Sequence, residues 1–496
     1  MNRKFFIFLF LSFIVLVFYF FSLKNISANR EEQIVSLKSR WISDESKMIS
    51  FGDHLNIQIN KMPPKMIVEF GNLSFPFILF PQHGPLSTIL PYIAYKIGSE
   101  YSTFAMRFVG VFLGIIMLFI FRNVTPIFLL LYTNAFVVFV LSYTSLFWYV
   151  LMLFFSLALL HVKDITGEDN NRKYLLIFVV SFLGVLSHIR FFSFSVFFAL
   201  IFFNLRCIVL ALLGSFLGLT PYIFLSAVHD INLDKNSFEV LFGSPSDIGN
   251  FVLNYLLSGD FNITQEIIKA FSSFSSLFFS LEPFVDLGII KDKNPYLRVV
   301  STLFFVLVLV YGLIDLRKNF KEIMFILVYI FLAPFSNPYG LFNFTQISWQ
   351  FLLILPFFYK FIVERKIFLY AVLFGQIIFS FFVLLKIINS KTQYSKSEVK
   401  EVIDYLESNK VSEVLNLGIF SSIEFESKGS IKSFEGLFFL YTRTHDFQGL
   451  YEILKKFDYA VLSEETELFL NTRKFDLVFE TFGKSIKIYK KKDLFK

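Results

Sequence analysis

Runs of about twenty uncharged, apolar residues recur through the first 388 positions, and a helix of roughly that length is what crosses the ~30 Å hydrocarbon core of a bilayer. Composition points the same way, with 17% charged residues against roughly 25% in an ordinary soluble domain. A soluble enzyme is excluded. The runs predict eleven spans, at residues 5–23, 103–121, 125–142, 145–162, 174–189, 191–205, 207–228, 297–316, 321–335, 347–363 and 367–388. The first follows Arg3 and Lys4 like a secretory signal, yet it exceeds the roughly 7–15 residues of a signal core and is read as uncleaved. The expected fold is an all-α polytopic membrane protein with a large first external loop and a small carboxyl-terminal α/β soluble domain.

Charge gives the sidedness. Residues 389–496 contain 17 basic and 17 acidic side chains, so the net +7 resides in the membrane portion, residues 1–388. With the amino terminus inside, the loops bearing Arg122, Lys163, Arg206, Lys318 and Arg365 all fall inside, as positively charged loops should. Basic loops of this origin make nucleic acid an unexpected partner. Three larger pieces then face outward: a first loop at 24–102, a second at 229–296, and the tail at 389–496, with the carboxyl terminus outside. Chemistry on polar substrates is expected there. The single cysteine, Cys207, lies in an apolar span and has no intramolecular disulfide partner.

The first loop is patterned. Ser43 is placed to cap a helix whose first turn holds Asp44 and Glu45, where carboxylates meet the positive end of the helix dipole. A second helix is expected from Pro85 to Gly98, with Leu86, Ile89, Leu90 and Ile93 at helical spacing, a pattern suited to the membrane surface. In the tail, helices are expected at 397–409 and 447–457, strands at 414–417 and 459–462, and a hairpin within 476–489. That tail lacks a glycine-rich phosphate loop, metal-spaced Cys or His pairs and a nucleophile elbow, which makes it a structural or docking module.

Three stretches of the first loop and second span stand in a telling order: W-I-S-D-E-S-K-M-I-S-F-G (Trp41 to Gly52), P-Q-H-G-P-L-S-T-I-L-P-Y (Pro81 to Tyr92) and K-I-G-S-E-Y-S-T-F-A-M-R-F-V-G (Lys96 to Gly110). Together they resemble the GT-C superfamily of membrane glycosyltransferases, in the branch of protein O-mannosyltransferases and lipid A aminoarabinose transferases. The resemblance covers about residues 1–165. It implies that Asp44 is the catalytic base with Glu45 beside it, and that His83, Arg107 and Arg190 bind the phosphate of a polyprenyl-phosphate sugar donor. An acceptor hydroxyl must lose its proton as it attacks the anomeric carbon, which is why a carboxylate is needed. The leaving phosphate needs cations or hydrogen-bond donors. Arg107 lies about five residues inside a span, where a charge is costly unless it has a functional partner.

The chain also departs from the family pattern. Gly84 replaces the first proline of a Pro-Pro pair, the stretch Tyr143 to Tyr149 lacks the usual second acidic residue, and Ser348 to Phe351 lacks an Arg-Tyr pair. Asp230, Asp234 and Asp247 of the second loop are the acidic residues that would compensate. The expected function is inverting transfer of a sugar from a polyprenyl-phosphate donor to a lipid, glycan or protein acceptor, at the outer face of a bacterial cytoplasmic membrane. A surface-polysaccharide polymerase or ligase is the second reading, and a non-catalytic transport or assembly protein the third. The sequence names no cofactor; a divalent cation is the one that the two carboxylates leave open.

Overall fold

The computed structural model describes residues 3–23, 67–70, 73–76, 86, 103–120, 125–143, 147–164, 170–188, 191–228, 263–287, 289–332, 351–390, 395–416, 423–434, 457–463 and 475–492. Most of them are helical. The membrane portion contains α1 (Arg3–Ser22), α2 (Thr103–Ile120), α3 (Thr125–Thr133), α4 (Ala135–Ser142), α5 (Phe147–Asp164), α6 (Asn170–Ser187), α7 (Phe191–Phe202) and α8 (Leu205–Val228). It continues with α9 (Ile263–Phe279), α10 (Glu282–Asp286), α11 (Pro295–Ile314), α12 (Leu316–Leu332), α13 (Leu355–Val363) and α14 (Lys366–Asn389). Of these, α11 and α14 are long and apolar enough to cross a bilayer by length and composition. The outward face of α11 is a row of exposed Val299, Val300, Leu303, Val306, Leu307, Val310 and Leu313. An apolar surface that continuous needs lipid, not water, against it. The described residues are mostly helical, as the expected polytopic helical membrane protein requires.

One expected span is broken. The stretch 125–142 divides at Asn134, whose backbone is extended and whose Oδ1 accepts hydrogen bonds from Phe136 N and Val137 N, capping α4. Its Nδ2 donates to Leu277 O at 2.8 Å and to Tyr359 Oη at 2.9 Å. Gln376 Nε2 donates to the same hydroxyl at 2.8 Å, Thr133 Oγ1 donates to Gln376 Oε1, and Ser380 Oγ donates to Thr133 O. Tyr19 Oη closes the network on Ser380 O. A helix break inside apolar surroundings leaves backbone groups that must find partners in the protein, and here α1, α9, α13 and α14 supply them. Asn134→Leu should therefore cost about 2–4 kcal/mol, the sum of a lost cap and stranded polar groups. Asn134→Ser, which keeps a capping oxygen, should cost less. Unfolding in mixed detergent micelles reads both, and equal losses would show that the cap contributes nothing.

Part of the stretch expected as the second external loop is described as the helices α9 and α10. Helix α9 packs into the bundle, with Ala270, Phe274, Leu277 and Phe278 buried and Phe274 against Phe351 and Phe358. Through Leu277 it reaches the level of the Asn134 break. The chain then turns through α10 and returns, so that Asp292 meets Lys386 in the last turn of α14. The serines of α9 look polar in the sequence, yet Ser275 and Ser276 donate to carbonyls three residues back and so enter apolar surroundings without loss.

Within the first loop, β1 (Ile67–Phe70) and β2 (Leu73–Pro76) form an antiparallel hairpin. The helices expected from Ser43 and over 85–98 lie outside the described residues, apart from Leu86. After α14 come α15 (Lys396–Ser408), β3 (Glu413–Asn416), α16 (Ile423–Glu426), β4 (Lys432–Phe434), β5 (Tyr459–Ser463), β6 (Phe475–Glu480) and β7 (Ile486–Lys491). The strands make one sheet in the order β4-β3-β5-β7-β6, with β3 parallel to β4 and β5, and β7 antiparallel to β5 and β6. Val399, Val402 and Leu406 of α15 cover Val414, Val461, Ile486 and Ile488. The expected helix at 447–457 falls outside the described residues except for Phe457.

Candidate functional site

Arg107 sits one turn inside α2 and is 2% exposed. Its Nη1 donates to Leu23 O, immediately after α1. Its guanidinium carbon lies 5.0 Å from the ring centroid of Tyr143, the C-cap of α4. The ends of α1 and α4 and the start of α2 thus converge on one charge. Gly110 makes the approach possible, since a Cβ there would stand 2.2 Å from Leu141 O. The consequence concerns the first loop, which leaves the bundle after Leu23 and rejoins it at Thr103. Arg107 closes the base of the loop that bears Asp44, Glu45 and His83.

Aromatic rings extend the site sideways. Phe139 packs against Tyr143 at 5.0 Å and against Phe284 of α10 at 5.4 Å. Beside Phe284, Glu282 Oε1 accepts from Arg298 at 3.0 Å, and Arg298 Nη2 also donates to Ser272 Oγ at 2.6 Å. Glu282 Oε2 is buried with no hydrogen-bond partner among the described residues. A buried carboxylate oxygen in that state loses its hydration without compensation.

The opposite end of the bundle gathers basic residues. Glu322 receives both Lys163 and Lys360, the second at 2.8 Å. Lys318 meets Glu364 at 2.7 Å and Arg365 meets Asp315 at 2.8 Å. Lys173 lies 4.8 Å over the ring of Phe203. Of the loop cations that the sequence places on one side, Lys163, Lys318 and Arg365 take part in these pairs, and Arg122 lies outside the described residues.

Of the five site residues read from the sequence, Arg107 is described and lies where three helix ends meet. Asp44, Glu45, His83 and Arg190 lie outside the described residues, as do Asp230, Asp234, Asp247 and Ser348 to Gln350. His188, two residues before Arg190, is buried at the turn from α6 into α7. Sequence reasoning missed Glu282. The signal available was a lone acidic residue before a proline, between the apolar stretches S-S-L-F-F-S-L and F-V-D-L-G-I-I. Among the described residues no three His, Cys, Asp or Glu side chains come together as metal ligands would.

No protein-family model matches the chain, and no curated protein matches it. Two solved structures do, both of ArnT from Cupriavidus metallidurans. The crystal structure in the apo state is 12% identical and aligns over 97% of each chain with a TM-score of 0.41. The crystal structure bound to undecaprenyl phosphate is 12% identical and aligns over 98% of each chain with a TM-score of 0.40.

Proposed function

We propose that the protein is a membrane glycosyltransferase that moves a sugar from a polyprenyl-phosphate donor to an acceptor hydroxyl at the outer face of a bacterial cytoplasmic membrane. The observation that carries this reading is Arg107, a guanidinium buried at the base of the loop bearing Asp44. A charge inside a span is costly, and a lipid phosphate is a functional partner of the right sign for it. In the proposed reaction the acceptor oxygen attacks the anomeric carbon as the bond from that carbon to the phosphate oxygen breaks. The electron pair leaves with the lipid phosphate, and the acceptor proton passes to Asp44. One displacement inverts the anomeric centre. Glu45 assists Asp44 electrostatically, while His83, Arg107 and Arg190 receive the phosphate. Glu282 takes the place of the second acidic residue that Tyr143 to Tyr149 lack, with its free oxygen turned to a sugar or acceptor hydroxyl. The test is transfer of radiolabelled sugar from polyprenyl-phosphate donors in membranes containing the protein.

The same reading fixes an orientation. The end with Arg107 is outside, and the end with Lys163, Lys318 and Arg365 is inside. Reporter fusions after residues 170, 320 and 390 should read inside, inside and outside. A fusion after 390 that reads inside would put the tail and the Asp44 loop on the wrong face for a lipid-linked donor presented outside.

A further inference from the structure

We propose that the turn joining β6 to β7 anchors the tail to the membrane surface, with Phe482 seated in the headgroup region and Lys484 against anionic lipid phosphates. Phe482 is 80% exposed at the tip of the hairpin. Aromatic side chains beside a bilayer favour the headgroup level. The turn is held firmly. Phe482 N donates to Glu401 Oε2 at 2.8 Å, Gly483 N to Glu398 Oε1 at 2.9 Å, and Ser485 Oγ to Glu398 Oε2 at 2.9 Å. Gly483 has no room for a side chain, since a Cβ would stand 2.5 Å from Glu398 Oε1. Lys484 adopts a positive φ of 55° and its N–H donates back to Thr481 O at 2.8 Å.

Both carboxylates come from the first two turns of α15, and that is what aims the tip. Helix α14 ends at Asn389 and α15 begins at Lys396, so the link between them spans at most roughly 25 Å fully extended. The tip therefore belongs to the end of the soluble domain nearest the point where α14 leaves the bilayer. Charge suits the same partner. Glu398 and Glu401 are engaged by the turn, which itself carries Lys484, and lysines beside a membrane are drawn to anionic lipid.

The test uses the full chain in nanodiscs containing phosphatidylglycerol, with p-benzoylphenylalanine in place of Phe482 or of Lys428. Lys428 lies at the far end of α15, near where Ser430 Oγ meets Glu407 at 2.8 Å. After illumination, mass spectrometry should find lipid adducts several-fold more abundant from position 482 than from 428. Lys484→Glu should lower the yield at 482. Equal yields at the two positions, or adducts from 482 to protein alone, would overturn the proposal. An unchanged yield in Lys484→Glu would overturn the part played by charge.

Discussion

Asp44→Asn should lower the rate of sugar transfer at least about a hundredfold while leaving donor binding and expression near those of the parent, since a positioned general base contributes roughly 10²–10⁴-fold. Asparagine retains the size of aspartate and its capacity to cap a helix, so the loop should keep its form. What it loses is the ability to take the acceptor proton. Glu45→Gln should cost less, because in this reading Glu45 contributes field and not proton transfer. Measuring both with one radiolabelled donor separates the base from the general negative charge of the pair. Parental transfer by Asp44→Asn would remove Asp44 from the mechanism, and most of the case for a glycosyltransferase would go with it.

Arg107→Ala should raise the apparent KM for the lipid donor at least about tenfold, the value of a charge-assisted hydrogen bond to phosphate. The contacts of Arg107 add a second effect. Truncation strands Leu23 O and removes the guanidinium from the Tyr143 ring, so the melting temperature should also fall by roughly a few degrees. Arg107→Lys separates the two effects. It keeps the charge and loses the planar fork, so donor KM should rise by less than in Arg107→Ala. Donor kinetics unchanged in both variants, with stability lost, would make Arg107 a structural clasp at the base of the first loop and nothing more.

Much of the membrane portion was legible because hydrophobic length is a direct physical requirement. The spans expected at 103–121, 145–162 and 367–388 correspond closely to α2, α5 and α14. Two features were hidden for different reasons. Thr133 and Asn134 break an otherwise apolar run, but whether two polar residues bend a helix or merely pair across the bundle depends on Tyr359, Gln376 and Leu277, which are distant in sequence. Helix α9 was hidden by its serines: the hydroxyls of Ser275 and Ser276 bond to carbonyls within the helix, Ser275 also meets Thr302 of α11, and Ser273 is buried, so that a stretch polar by composition behaves as core. For the site, the family motif pointed to Arg107 directly. Glu282 was out of reach because its pairing with Arg298 and the burial of its other oxygen depend on how α10 packs, which no local pattern announces.

The orientation of the helices follows the same logic. Sequence alone assigned the basic loops to one side, and the ion pairs at Glu322, Glu364 and Asp315 bring residues from α5, α12, α13 and their flanks to one end of the bundle. These pairs are also a second basic location at which a phosphate would find cations. The two ends therefore compete as candidate anion sites, and they differ in what surrounds them. Arg107 is enclosed by the ends of α1 and α4, whereas Lys163 and Lys360 already share a carboxylate.

Cryo-electron microscopy of the full chain in nanodiscs with a bound polyprenyl phosphate decides between these ends. Phosphate density should stand where Leu23, Arg107 and Tyr143 meet, with Asp44 close enough to reach a hydroxyl positioned beside it. Phosphate seated among Lys163, Lys318 and Lys360 at the opposite end, with the Arg107 junction empty, would contradict the proposed site and the external transfer built on it.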